Sequence, residues 1–368
     1  MFVFASIGIL ALLILVHEAG HFAAARLQGI HANRFSIGFG PIVWSYEGKQ
    51  TEYALRALPL GGFVGFPDDD PDCPFPPDDP DLLRNRPVLD RAVVMSAGVL
   101  SNLVFAYIVL LVMVVTLGVP TPAQFNPGII LPDVAAEGPA QVAGVQPGDV
   151  ILQVNDLDLR RIEDEEAAEE AIGEFQAIVR ESNGQPVQVE VQRFGQTEVE
   201  TLVVTPEIPA GGSNPVIGVT LAPNQEIVFQ RPDGIGPMLA ASGAAYQRIV
   251  TLNLRGFAQL LGNFQNTAGQ IAGPVGIVKI GADLARDDSA SLFNFAALIS
   301  INLAIINILP LPALDGGHLM FLAIEAVRGR RLPKAIEDRV MQTGLLLLLG
   351  LGVVLILKDT ASLVTGAG

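Results

Sequence analysis

Four long apolar stretches run through the chain, at about 2–25, 93–119, 291–310 and 341–358. A hydrocarbon layer of roughly 30 Å takes about 20 helical residues to cross, so the pattern predicts four membrane-spanning helices. The third stretch stops at Pro310 and Pro312, and a shorter apolar run, His318 to Val327, follows it. Region 235–265 is only moderately apolar and reads as a helix lying along the interface. Between the second and third stretches the period changes. Val187, Val189 and Val191 alternate with polar residues, as in a half-buried strand. The turn Gly144-Val145-Gln146-Pro147-Gly148-Asp149 leads into a strand, Val150 to Val154, and an acid-rich helix follows. A small mixed domain is therefore expected over 125–207. Val43–Tyr46 and Thr51–Leu55 read as a hairpin around Glu47-Gly48-Lys49-Gln50, with Trp44, Tyr46 and Tyr53 suited to a membrane interface. Residues 66–82, rich in Pro and Asp, read as an irregular loop.

Composition agrees with this pattern. Of 368 residues, 50% are hydrophobic and 16% charged, with a mean hydropathy of +0.45, which points to a multi-pass membrane protein. The formal net charge of −16 argues against nucleic acid as a partner, since phosphate would be repelled. The single cysteine, Cys73, excludes an internal disulfide and reads as an ordinary loop residue. Phe2 to Val16 has the length of a signal-peptide core. No basic residue precedes it, however, and the apolar run continues to Ala25, so a retained span is expected.

Basic residues near the span ends set the expected orientation. Arg26, Arg34, Arg56, Arg84, Arg86 and Arg91 lie in the first loop, and Arg328, Arg330, Arg331, Lys334 and Arg339 lie between the third and fourth spans. Both loops are expected to be cytoplasmic, and the acidic 125–207 region outside.

Within the first stretch stands His17-Glu18-Ala19-Gly20-His21. Residues i and i+4 share one helix face, so both imidazoles can bind one metal while Glu18 reaches a water beside it. Zinc held by neutral ligands keeps its full charge and acidifies water, and a carboxylate base then moves the proton. Idle ionisable groups are rare at membrane depth, where each costs about 2.5–3.5 kcal/mol on insertion scales. A catalytic zinc also needs a third protein ligand. His31, His318, Asp315 and Glu325 remain as candidates, and Asp315 follows a proline break of the kind tolerated only where backbone is buried or lines a cavity. Other readings are a proton relay, a polar helix contact, a non-catalytic scaffold with a structural metal site, and a transporter. No internal repeat supports the last of these.

These residues together resemble the site-2 protease family of intramembrane zinc metalloproteases. His17–His21 matches its HExxH, and Asn307 to Gly317 (NILPLPALDGG) its Asn-x-x-Pro-x-Pro-x-Leu-Asp-Gly motif. Phe35 to Pro41 looks like the family's Gly-x-Gly membrane loop. Ala97 to Asn102 is similar to its second-span motif, with Val99 where proline is usual, and Gly273 to Ile277 to the motif before the third span. The outer region looks like a single PDZ domain.

The resemblance implies a multi-pass α-helical membrane protein with about four transmembrane helices, a membrane-associated β-hairpin and an extracytoplasmic α+β PDZ domain. Its parts are 1–119, with two spans and the hairpin loop, the PDZ domain at 125–207, a linker with an interfacial helix at 208–290, and the last two spans at 291–368. It implies one Zn2+ per chain on His17, His21 and Asp315, with Glu18 as general base. Asn307 is implied as a catalytic and substrate contact, and Gly38, Phe39 and Gly40 as substrate-binding. Expected partners are single-pass membrane protein substrates, the lipid bilayer and a peptide ligand of the PDZ domain. The expected location is the cell's inner (plasma) membrane, with the active site toward the cytoplasm.

Overall fold

The computed structural model describes residues 2–70, 72–193, 196, 198–208, 214–262, 272–287 and 289–365. Residues 263–271, within the expected linker, lie outside that set. The first elements are α1 (Phe2–Leu27), β1 (Arg34–Glu47), β2 (Glu52–Gly65) and α2 (Val88–Thr116). Then follow β3 (Val119–Ile130), α3 (Pro139–Val142), β4 (Val150–Val154), β5 (Leu157–Asp158), α4 (Glu165–Glu181), β6 (Val187–Gln192), β7 (Val199–Val204) and β8 (Ala222–Gln230). The last helices are α5 (Ile235–Gly262), α6 (Pro274–Asp287), α7 (Ser289–Ile308), α8 (Asp315–Arg328) and α9 (Lys334–Thr365). The chain forms two compact units, Met1–Gly118 with Arg231–Gly368, and Val119–Gln230.

In the first unit, α1, α2, Ala290–Ile308 of α7 and Lys334–Ala361 of α9 are long and apolar enough to cross a membrane. They coincide with the four predicted stretches. Helices α1 and α2 pack through small residues. A Cβ added at Gly20 would lie 2.5 Å from the Ala97 carbonyl oxygen, so the two backbones approach as only glycine permits. Ser300 of α7 donates to the Asn102 carbonyl of α2 at 2.8 Å. Tyr107 of α2 donates to the Leu239 carbonyl of α5 at 3.4 Å, holding the helix expected at 235–265 against the second span.

The expected hairpin is present, with Tyr46 opposite Tyr53 and Trp44 opposite Leu55, but it is part of a larger sheet. Residues 34–37 pair with 52–55 on one side and with 62–65 on the other. The segment order is thus 62–65, 34–37, 52–56, 42–47. The 62–65 strand was illegible because Leu58-Pro59-Leu60-Gly61-Gly62 has the composition of a turn. Gly61 sits at φ +95°, and its missing side chain leaves room for the Phe39 ring. Trp44, Tyr46, Val43 and Phe39 are exposed, as an apolar surface facing lipid would require.

The second unit is a sheet in the order β7-β6-β4-β3-β8, with β5 on β4. Helix α4 buries Phe175 and Val179 against Ile151, Val154 and Val189, and Asp164 caps it by accepting from the Ala167 N–H at 2.8 Å. Asp149 closes the predicted turn, accepting from the Gln146 N–H at 2.8 Å and Arg193 at 2.6 Å. The unit is wider than 125–207 because β3 and β8 pair from Val119↔Gln230 to Ile130↔Ala222. Pro120, Pro122 and Pro127 obscure that pairing in the sequence. A groove of about 500 Å³ runs beside α4, between Phe175, Gln176 and Val179 and the segment around Ile217–Val219.

Helix α8 is clamped to α2 at its far end. Arg91 donates to both oxygens of Glu325, at 3.0 and 2.5 Å, and Arg331 adds a bond at 3.3 Å. The Arg91 and Glu325 side chains are only 12% and 15% exposed. Removing Arg91 leaves Glu325 with only the longer Arg331 contact, whereas removing both Arg91 and Glu325 leaves neither charge of the pair behind. With Arg331 left as a partner, Arg91→Met should destabilise the protein by about 1–3 kcal/mol, below the full cost of an unpaired buried charge, read as a lower midpoint of thermal unfolding in detergent. The double variant with Glu325→Met should recover most of the loss. An unchanged midpoint in the single variant would contradict the clamp.

Candidate metal centre

Two devices bring the centre together. The first is the α1–α2 contact. His17 and His21 lie one turn apart on the buried face of α1, their rings edge to face with centroids 4.8 Å apart, 9% and 8% exposed. Facing them across the helix contact is Gly98. A Cβ there would lie 2.3 Å from His21 Nε2 and 2.7 Å from His17 Cε1. The second device is the broken backbone after α7. The chain turns at 309–314, with Ala313 at φ +71°, a left-handed conformation uncommon outside glycine. Helix α8 then starts at Asp315. Gly316 and Gly317 allow its first turn to lie on the preceding loop. Cβ atoms there would meet the Leu309 and Leu311 carbonyl oxygens at 2.1 and 2.4 Å.

The result is a triangle of ligand atoms. His17 Nε2 and His21 Nε2 are 3.2 Å apart, and Asp315 Oδ2 is 3.1 Å from the first and 3.4 Å from the second. Zinc bonds of about 2.0–2.2 Å in a tetrahedron place neighbouring ligand atoms about 3.3–3.6 Å apart, close to the separations seen here. The tautomer of His21 supports the fit. Its Nδ1 lies 2.8 Å from the Val94 carbonyl oxygen, which only accepts, so the proton sits on Nδ1 and Nε2 presents its lone pair. Asp315 Oδ2 is buried with no hydrogen-bond partner. Lone pairs and a carboxylate oxygen crowded together in this way want a cation between them. The three residues fit zinc, and three protein ligands leave a fourth position open.

The other candidate third ligands have different partners. Glu325 is held by Arg91, His318 Nδ1 faces Glu337 at 3.8 Å, and His31 lies 3.8 Å from Asp79 and stacks on Phe75. His31, Asp79 and Asp81 form a second group of metal-ligand types, but Asp81 is paired with Arg86 at 2.7 Å. Asn307 lies in the last turn of α7, and the structure gives it no bond to the three gathered ligands. Gly38 and Gly40, both at φ +87°, bend β1 around Phe39 rather than at the triangle. Glu18 lies against the strand segment that was illegible in the sequence. A Cβ at Gly62 would lie 2.9 Å from Glu18 Cγ.

Sequence reasoning placed Gly98 and Asn102 in the second-span motif without a role, and missed Gly62, Val94 and the contact of Asn102 with His17 at 3.4 Å. The glycines carry a readable signal only once their partner helix or strand is known. A methyl group at Gly98 would occupy the space beside both imidazoles. Gly98→Ala should therefore reduce bound zinc well below the wild-type level by elemental analysis, while Gly8→Ala, with open space around it, should not. Equal zinc in the two variants would contradict this packing.

The model of peptidase family M50 matches residues 5–351. "Putative zinc metalloprotease all3971" from Nostoc sp. is 53% identical over 367 residues, covering 99% of this chain and 97% of that protein. "Membrane metalloprotease ARASP, chloroplastic" from Arabidopsis thaliana is 44% identical, covering 97% and 78%. A solved PDZ domain of an SdrC-like protein from Listeria monocytogenes aligns with 26% of this chain and 88% of its own, at 19% identity and a TM-score of 0.21. With the family match spanning nearly its whole length, the chain belongs to peptidase family M50, the site-2 protease family of zinc metalloproteases.

Proposed function

We propose that the chain is an intramembrane endopeptidase that cuts the membrane-spanning segments of single-pass proteins, such as anti-sigma-factor-like substrates or signal-peptide remnants, in regulated intramembrane proteolysis. The observation that carries this reading is the triangle His17, His21 and Asp315, on apolar helices and beside Glu18. Gly98, opposite the triangle, stands seven residues past Arg91, about 10 Å along α2. The same end of the unit holds Arg86, Arg91 and Arg331, which supports a cytoplasmic-facing site in a plasma membrane and an extracytoplasmic second unit.

One zinc per chain, held by His17, His21 and Asp315, would supply Lewis acidity for the scissile carbonyl and for water. Val94, accepting from His21 Nδ1–H, keeps that imidazole's Nε2 free to ligate. Glu18 takes the proton of the attacking water and passes it to the leaving amine. Asn307 donates its amide to the developing oxyanion. A substrate helix hides its peptide bonds in its own hydrogen-bond ladder and must be unwound first. The edge segment 62–65, against Glu18, supports capture of the freed chain as an added strand, with Gly38, Phe39 and Gly40 shaping the sheet beside it. In the second unit, the PDZ-like turn, strand and helix and the groove beside α4 support a peptide ligand there. The scaffold reading is weaker. A structural zinc site closes with four protein ligands and needs no base.

Glu18→Gln should lower cleavage of a tagged single-pass substrate by about 100- to 10,000-fold, the usual worth of a general base, while zinc stays bound. Asp315→Ala should lose both zinc and cleavage. Unchanged cleavage in the Glu18 variant would overturn the assigned role.

A further inference from the structure

We propose that Asn102 of α2 is a positioning residue for the centre, accepting a hydrogen bond from His17 Nδ1–H through its side-chain oxygen. The inference rests on the zinc reading above and adds to it the group that sets the tautomer of the first ligand.

The argument starts from which nitrogen of His17 faces the centre. Nε2 is the atom 3.1 Å from Asp315 Oδ2 and 3.2 Å from His21 Nε2, so Nε2 is the ligating nitrogen. A neutral imidazole that ligates through Nε2 carries its proton on Nδ1 and needs an acceptor there. For His21 the Val94 carbonyl fills that need. For His17 the neighbour is the Asn102 amide, 3.4 Å from Nδ1, and as placed it presents Nδ2. A donor would then face a donor. The other end of the same amide, Oδ1, is buried and has no partner. The nitrogen and oxygen of an amide are nearly the same size and shape, and the bonding network decides which is which. Turning the amide over removes the donor-to-donor contact and gives the stranded oxygen a proton. It breaks no other hydrogen bond, because the structure gives Nδ2 only the His17 contact and gives Oδ1 none.

The surroundings hold Asn102 for this task. The residue is 0% exposed, and its carbonyl accepts from Ser300 of α7 at 2.8 Å. Its place on α2 is therefore fixed from a second span, one turn beyond Gly98, on the side of α2 that meets α1. A polar side chain at such depth without an acceptor or donor role would be costly. The two histidines are then oriented by two groups of α2, a backbone carbonyl at Val94 and a side-chain oxygen at Asn102.

The test compares zinc dissociation constants, by chelator competition on purified full-length protein in detergent, for the wild type, Asn102→Asp and Asn102→Leu. Aspartate keeps an oxygen acceptor at the same reach and has no amide donor. Leucine has neither. The expected result is binding within a few-fold of wild type for Asn102→Asp, and 10- to 100-fold weaker binding for Asn102→Leu, the usual loss when an outer partner of a metal-bound histidine is removed. The thermal midpoint of the zinc-free proteins should be similar in wild type and Asn102→Asp. Zinc binding tenfold or more weaker in Asn102→Asp would overturn the acceptor role, as would wild-type affinity in Asn102→Leu. If Asn102→Leu does not fold, the aspartate variant alone decides. A wild-type protein with no zinc affinity would overturn the metal reading itself, a separate outcome from the variant comparison.

Discussion

The structure depends on how closely α1 and α2 approach. At Gly20 and Gly98 no side chain stands between the helices, and a methyl group at either would meet the other helix within 2.5 Å. That closeness places two imidazoles against the face of α2, where Val94 accepts from one and Asn102 touches the other. Without it, His17 and His21 would be polar groups on an apolar helix, with no second helix to orient them. Lipid offers no hydrophobic drive for helices to associate, so small residues and interhelical bonds carry the contact. Ser300 to Asn102 is one such bond, and it brings α7 to the same level.

The third ligand arrives by a different route. An uninterrupted α7 would carry Asp315 onward along its own axis. Pro310 and Pro312 end the helix, Ala313 turns the chain, and two glycines let α8 begin on top of that turn. The acid thus stands at the first residue of a short helix whose other end is fixed by Arg91 and Glu325. Helix α8 spans 14 residues, about 21 Å. One end of α2 therefore fixes the helix that positions a ligand against the middle of α2.

Much of this was legible in the sequence, because the signals are local. Apolar length marked the four spans, and the i, i+4 histidines fell on one face. The double proline marked the break before Asp315. The strand 62–65 was not legible, since glycines that read as a turn serve here to bring a strand against Glu18. Nor were β3 and β8, where prolines hide a pairing that begins at the ends of the unit. Gly98 and Asn102 stood in the stretch that resembles the second-span motif, but the motif did not say what they touch. Their meaning comes from a residue 77 or 85 positions away (98 − 21 and 102 − 17), and only packing reveals it.

The central claim is that one cation lies between two imidazole nitrogens and one carboxylate oxygen. Zinc K-edge X-ray absorption on the purified protein tests it most directly. The account predicts two imidazole scattering patterns and light oxygen donors at about 2.0–2.2 Å, with the imidazole signal reduced in His21→Ala. Sulfur at about 2.3 Å, which would bring in Cys73, or a shell of oxygen alone would contradict it.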